Sequence, residues 1–112
     1  MDISKEQVGS VTVVTPQGRV DSNSAREVEE VLLPLFDESG PVLVDFASLT
    51  YISSAGLRVL LLAARRSKAT GVPLALAGMS KPVEEVFAIS GFAKLFQIQP
   101  DREAALASLG AA

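Results

Sequence analysis

Two short apolar runs constrain the fold of this chain more than any other feature. Pro41-Val42-Leu43-Val44-Asp45-Phe46 and Pro73-Leu74-Ala75-Leu76-Ala77 carry almost no polar alternation, as expected of strands covered on both faces. Between them lies a segment of helical spacing, about Ser54 to Thr70, with Leu57, Leu60, Leu61 and Ala64 as its inner stripe and Gly71 as its stop. Strand, helix and strand in that order argue for parallel pairing with helices over the sheet faces.

The flanking segments extend the pattern. Val11-Thr12-Val13-Val14-Thr15 is β-branched and ends at Pro16, and Gly9-Ser10 separates it from a weaker strand over Asp2 to Val8. This spacing predicts an antiparallel hairpin. Gly18-Arg19-Val20-Asp21-Ser22 reads as turn and cap, with either Asp21 or Ser22 as the cap of the helix that follows. That helix is predicted from about Ser24 to Glu38, with Ala25, Val28, Val31, Leu32, Leu35 and Phe36 at helical spacing and Ser39-Gly40 as its end. Pro34 removes one backbone bond from it and predicts a bend convex toward solvent. Ser80-Lys81-Pro82 opens a third helix through Ser90, with Gly91 as a left-handed stop. Leu95-Phe96-Gln97-Ile98 reads as a last strand, and Asp101 as the cap of a short final helix. The expected product is a single α/β domain over residues 1–112. It has a mixed, mainly parallel sheet of about five strands, an N-terminal antiparallel hairpin and about four helices.

Composition narrows the chemistry. The 112 residues include no Cys and no His, which excludes thiolate nucleophiles, imidazole catalysis and the usual zinc ligands. No Gly-rich phosphate loop is present, and the acidic pairs Glu29-Glu30 and Glu84-Glu85 are adjacent in sequence, so their members do not share a helix face. Asp45 and Asp21 read as structural hydrogen-bonders rather than catalysts. A net charge of −3 argues against general nucleic-acid binding. The longest apolar run, Val59 to Ala64, is far short of a membrane span, and the N-terminus has no signal pattern. A cytoplasmic, non-enzymatic binding or signalling module without a cofactor, monomeric when free, is the expectation.

In open α/β sheets ligands and partners gather where strand ends meet helix starts, which here is Leu49-Thr50-Tyr51-Ile52-Ser53-Ser54-Ala55-Gly56-Leu57. Two readings of the serines stand side by side. In one, Ser53 or Ser54 is simply the N-cap, contributing about 1 kcal/mol relative to Ala. In the other, one serine accepts a phosphoryl group, whose charge of about −1.5 to −2 a helix N-terminus tolerates. From Phe46 to Val83 there are five basic residues (Arg58, Arg65, Arg66, Lys68, Lys81) and no acidic one, which suits the second reading but equally describes a solvated helix face.

Gly18-Arg19-Val20-Asp21-Ser22, Val42-Leu43-Val44-Asp45-Phe46, Tyr51-Ile52-Ser53-Ser54-Ala55-Gly56-Leu57-Arg58-Val59-Leu60 and Ser90-Gly91-Phe92-Ala93-Lys94-Leu95-Phe96 together resemble the STAS domain of bacterial anti-sigma-factor antagonists. The resemblance covers about residues 5 to 108, in the same order. It implies a partner switch, in which the unmodified antagonist binds an anti-sigma factor that is also a serine kinase. Phosphorylation at the start of the second helix then releases it, and a phosphatase of the PP2C type resets it. The family motif reads Asp-Ser-Ser/Thr-Gly-Leu, with the acceptor directly after Asp. By this match Ser54 is the phosphoacceptor, Gly56 and Leu57 agree with the motif, Ser53 replaces the Asp, and Ala55 replaces the second hydroxyl. Ser53 thereby becomes a possible second acceptor. The partner-binding residues the resemblance implies are Asp21, Ser22, Asn23, Ser53, Ser54, Ala55, Gly56, Leu57 and Arg58. The rival within the same family is an accessory subunit of a membrane transporter, such as a lipid-trafficking ABC system, docking through the same face without phosphorylation. Weak nucleotide binding or hydrolysis by the domain itself is a third reading, and no phosphate loop or metal cluster in the sequence favours it.

Overall fold

The computed structural model describes residues 2–38 and 40–110. The chain opens with β1 (Ile3–Val8) and β2 (Val11–Pro16), paired antiparallel across Gly9 and Ser10. It continues through β3 (Gly18–Val20), α1 (Ala25–Leu32), a 3-10 turn over Leu33–Asp37, β4 (Val42–Asp45) and β5 (Leu49–Ile52). The remainder is α2 (Ser54–Thr70), β6 (Leu74–Ala77), α3 (Lys81–Ser90), a 3-10 turn over Phe92–Leu95, β7 (Gln97–Gln99) and α4 (Arg102–Ser108).

Five strands form one sheet in the order β1-β2-β4-β6-β7, parallel except for the first pair. Side-chain alternation divides its core in two. Val14, Val42, Val44 and Leu76 point toward α1, α2 and α3, where they pack with Val28, Leu32, Leu60, Ala63, Val83 and Phe87. Val11, Val13, Leu43, Ala75 and Ala77 point the other way, against Ala105 of α4. Both apolar runs thus lie inside the sheet, with every residue of β4 buried, as their lack of polar alternation predicts.

Several expectations are corrected. Gly18–Val20 and Leu49–Ile52, read as turn and loop, are strands that pair with each other in a separate two-stranded parallel sheet. The first helix stops at Leu32 rather than near Glu38, and Pro34 falls in the first turn of the 3-10 segment. A proline lacks the N–H that would continue the α ladder, so the chain tightens instead of bending. Pro34 itself is exposed, as its place on the polar side predicts, while Leu35 and Phe36 are buried. Ser39, half of the predicted stop, lies outside the described residues. The last strand begins at Gln97, because Leu95 belongs to the preceding 3-10 turn. Finally, the inner stripe of α2 is rotated: Gly56, Leu57, Val59, Leu60 and Ala63 are buried, while Leu61 and Ala64 are only partly covered.

The remaining stops and caps agree with the sequence reading. Gly71 and Gly91 end α2 and α3 with φ of 77°, a backbone conformation glycine adopts without a Cβ penalty. The Asp101 carboxylate accepts from the N–H of Ala104 at 2.8 Å. No helix of the described residues is long and apolar enough to cross a membrane.

Candidate partner-binding site

The small β3–β5 sheet builds the site. Its strands run parallel with Val20 opposite Ile52, so the residues that follow each strand emerge at the same edge. The Ser53 N–H donates to the Val20 carbonyl at 2.8 Å, which ties the start of α2 to the Asp21-Ser22-Asn23 turn. Two segments that are distant in sequence are thereby brought side by side.

Gly56 makes this junction possible. A Cβ at position 56 would lie 2.7 Å from both Val20 Cγ1 and Ile52 Cγ1, well inside van der Waals contact. The first turn of α2 therefore sits directly on the two-stranded sheet only because this residue has no side chain. Gly56 and Leu57 are buried and hold the helix in place, whereas Ser22, Asn23, Ser54 and Arg58 are exposed. Asp21, Ser53 and Ala55 are half-buried.

The two serines have different surroundings. Ser53 is the N-cap, extended at φ −91° and ψ 175°, and its Oγ accepts from the Gly56 N–H at 3.3 Å. Ser54 is the first residue of α2, and its Oγ has no hydrogen-bond partner among the described residues. The cap and the free hydroxyl are thus neighbouring residues.

Asp21 organises the opposite turn rather than capping α1 directly. Its Oδ1 accepts from the N–H of Asn23 at 2.9 Å and of Ser24 at 3.2 Å, and its carbonyl accepts from the Ala25 N–H at 2.8 Å. The Ser24 hydroxyl donates to the Arg19 carbonyl at 2.9 Å and accepts from the Asp21 N–H. The Asn23 N–H, above all, holds the Asp21 carboxyl below its ordinary 3.8; desolvation opposes this, and Ser24 and the Arg19 charge reinforce it. Ser22, the alternative cap, forms no side-chain hydrogen bond among the described residues. Beside this turn the Arg19 guanidinium lies over the Tyr51 ring, 4.2 Å from its centroid.

An apolar groove of about 340 Å³ starts at Ser54 and is lined by Leu57, Arg58, Leu61, Ser90 and Phe92. A second, of about 330 Å³, shares Leu61 and adds Ala64, Arg65, Lys68 and Leu95. Arg58, Arg65 and Lys68 form no ion pair among the described residues. Leu61, Ser90, Phe92 and Leu95 were not legible as surface residues. The unbroken apolar run Val59–Ala64 contains no polar residue to mark its outer side.

A sheet with an antiparallel leading hairpin, helices on both faces and a serine at the start of α2 defines a class. Residues 2–105 match the family model described as STAS domain, and the chain belongs to that family. BtrV of Bordetella bronchiseptica, whose name marks it as a candidate anti-sigma factor antagonist, is 37% identical over 109 residues, covering 96% of this chain and 94% of its own. An anti-sigma-factor antagonist (STAS) domain protein from Planctomyces limnophilus superposes with a TM-score of 0.85 at 19% identity, covering 97% of this chain and 98% of its own. The anti-sigma factor antagonist SpoIIAA in its unphosphorylated form gives 0.80 at 19% identity with 99% of both chains covered. Its phosphorylated form from Bacillus gives 0.71 at 19% identity, over 93% of this chain and 96% of its own.

Proposed function

We propose that this chain is an anti-sigma-factor antagonist that works as a binding switch rather than as an enzyme. In its unmodified form it binds an anti-sigma serine kinase through the Asp21-Ser22-Asn23 turn and the exposed start of α2, and phosphorylation of Ser54 releases it. The observation that carries this reading is the exposed hydroxyl of Ser54, free beside a neighbour that already caps the helix. The name of BtrV, at 37% identity over nearly the whole chain, supports it.

In the step itself Ser54 Oγ attacks the terminal phosphorus of a nucleoside triphosphate held by the kinase. An O–P bond forms, the bond to the nucleoside diphosphate breaks, and the hydroxyl proton passes to a base on the kinase. The replacement of the family's Asp by Ser53 does not remove the acceptor. Ser53 accepts the Gly56 N–H in the cap, so it competes poorly as a second acceptor. A phosphatase of the PP2C type would restore the hydroxyl by hydrolysis.

The energetics of release are modest. Placing a dianion where a neutral hydroxyl had packed adds desolvation and like-charge repulsion, reinforced by nucleotide phosphates on the kinase. A hundredfold loss of affinity requires only about 2.8 kcal/mol.

The test is capture from native cell extract with wild type, Ser54→Ala and Ser54→Asp as baits, and mass spectrometry of partners and of phosphate on the wild type. A kinase-fold partner kept by Ala and lost by Asp, with phosphate on Ser54, is the expected result. A transporter ATPase held equally by all three, with no phosphate, would overturn it.

A further inference from the structure

We infer that Arg58 is the intramolecular receptor of the phosphoryl group on Ser54, so that phosphorylation takes away a cation that the unmodified site presents to its partner. The inference rests on the reading of Ser54 as phosphoacceptor and adds a regulatory device to the same site.

Position and direction both point to this pairing. Ser54 is the first residue of α2 and Arg58 lies four residues on, so their Cβ atoms are neighbours at about 5–6 Å on one face. Side chains on a helix lean toward its N-terminus, which carries the long Arg58 side chain back over the turn that holds Ser54. An anionic residue four positions N-terminal to a cationic one is the favoured orientation of such a pair.

The surroundings leave Arg58 available and without a rival inside the groove. Both residues are exposed, and Arg58 has no carboxylate partner among the described residues. Of the six residues that line the first groove, Arg58 is the sole charged one; Leu57, Leu61, Ser90 and Phe92 complete the wall. Both groups remain exposed, so the pair is screened by water and salt and is read best at low ionic strength. On the adjoining turn the Asp21 carboxylate is held by the N–H groups of Asn23 and Ser24, and the Arg19 guanidinium covers Tyr51. A guanidinium presents paired N–H donors that match phosphate oxygens. Unphosphorylated, Arg58 faces outward as a cation for an acidic partner surface; phosphorylated, it is neutralised from within.

Phosphoserine installed at position 54 by genetic-code expansion makes the test independent of any kinase. The second ionisation of the phosphate is followed by phosphorus NMR at low salt in the full chain, with and without Arg58→Ala or Arg58→Lys. With Arg58 present the phosphate should titrate about 0.2–0.4 of a unit lower than in Arg58→Ala, and Arg58→Lys should recover part of that shift. Asp21, Arg19 and the helix N-terminus are common to all three proteins and cancel. Equal titration in wild type and Arg58→Ala would overturn the pairing. The two readings fail separately. A depressed phosphate ionisation with no kinase captured from extract would sink the proposed function and leave the pairing standing; a captured kinase with unshifted ionisation would do the reverse.

Discussion

Two arginines on opposite sides of the central sheet have contrasting roles. Arg102, at the start of α4, donates from Nε to Asp45 at 2.9 Å, from Nη1 to Glu6 at 2.6 Å and from Nη2 to the Thr15 hydroxyl at 3.3 Å. It fastens the last helix to β1, β2 and β4, and its bonds to Glu6 and then Asp45 raise its own pKa further. Arg58, on α2, forms no such contact among the described residues. The same side chain is a rivet where all three of its nitrogens find an acceptor, and stays available where, among the described residues, none does. The α4 side is therefore closed, and the α2 side is left with apolar grooves and unmatched charge. A surface in that state is suited to a partner.

The sharpest way to break this contrast is to remove each arginine in turn. Arg102→Ala leaves the 5% exposed Asp45 with the Ala47 N–H at 3.0 Å as its remaining hydrogen bond. Losing the partner of a buried charge costs about 3–5 kcal/mol, and because Arg102 is itself one-third exposed about 2–4 kcal/mol is expected. Arg58→Ala should change unfolding free energy by less than about 0.5 kcal/mol while weakening kinase binding. Urea unfolding of the two variants checks both numbers, and equal losses would erase the distinction between the two sides.

Gly56→Ala tests the junction that carries the open side. The added methyl meets two branched side chains at 2.7 Å, and overpacking of this kind costs about 1–3 kcal/mol. Since Val20, Ile52 or the first turn of α2 must move to relieve it, partner binding should fall as well, which titration calorimetry would read. A variant with wild-type stability and affinity would show that the helix does not depend on this close approach.

The serines give a smaller, cleaner contrast. Ser53→Ala removes the N-cap and should cost about 1 kcal/mol, whereas Ser54→Ala should stay within about 0.5 kcal/mol but abolish phosphate incorporation. Thermal unfolding and phosphate mapping of the pair separate structure from signalling at adjacent positions. If Ser54→Ala proved the more destabilising, the assignment of the cap would be reversed.

The smallest effect concerns Asp21. Its folded pKa lies below the ordinary 3.8, so the unfolded chain takes up its proton first as pH falls. The stabilisation of the turn is fully present above the ordinary value and is lost as pH drops through the depressed one. Asp21→Asn should lose less stability than wild type over that acid range. Parallel curves of urea midpoint against pH for the two proteins would remove the carboxylate from the account.

Much of the architecture was legible because its signals are local. The hairpin over Gly9-Ser10, the left-handed glycines at 71 and 91, the Asp101 cap and the two buried runs each depend on a few consecutive residues and the backbone they favour. The β3–β5 sheet was not legible. Gly18–Val20 is three residues with two of them exposed, and Leu49–Ile52 is buried only at its ends. Neither shows strand alternation, and each is a strand only because the other lies beside it. The site inherits the same division: Ser54 and Arg58 are readable from one segment, while their nearness to Asp21–Asn23 depends on that non-local pairing.

What the sequence determined by itself is the class of fold and the kind of chemistry. Apolar runs without alternation must be buried on both faces, and a chain with neither Cys nor His has a short list of reactive groups. Tertiary structure alone decided which of two serines caps α2 and which, among the described residues, is left without a hydrogen bond, since serine is a good cap at either position. It also decided which side of an all-apolar helical run faces the core. Residues 59–64 offer no polar mark for either choice. The packing of Gly56 onto Val20 and Ile52 sets the rotation of α2, and with it which side of the helix Leu61 and Arg58 occupy.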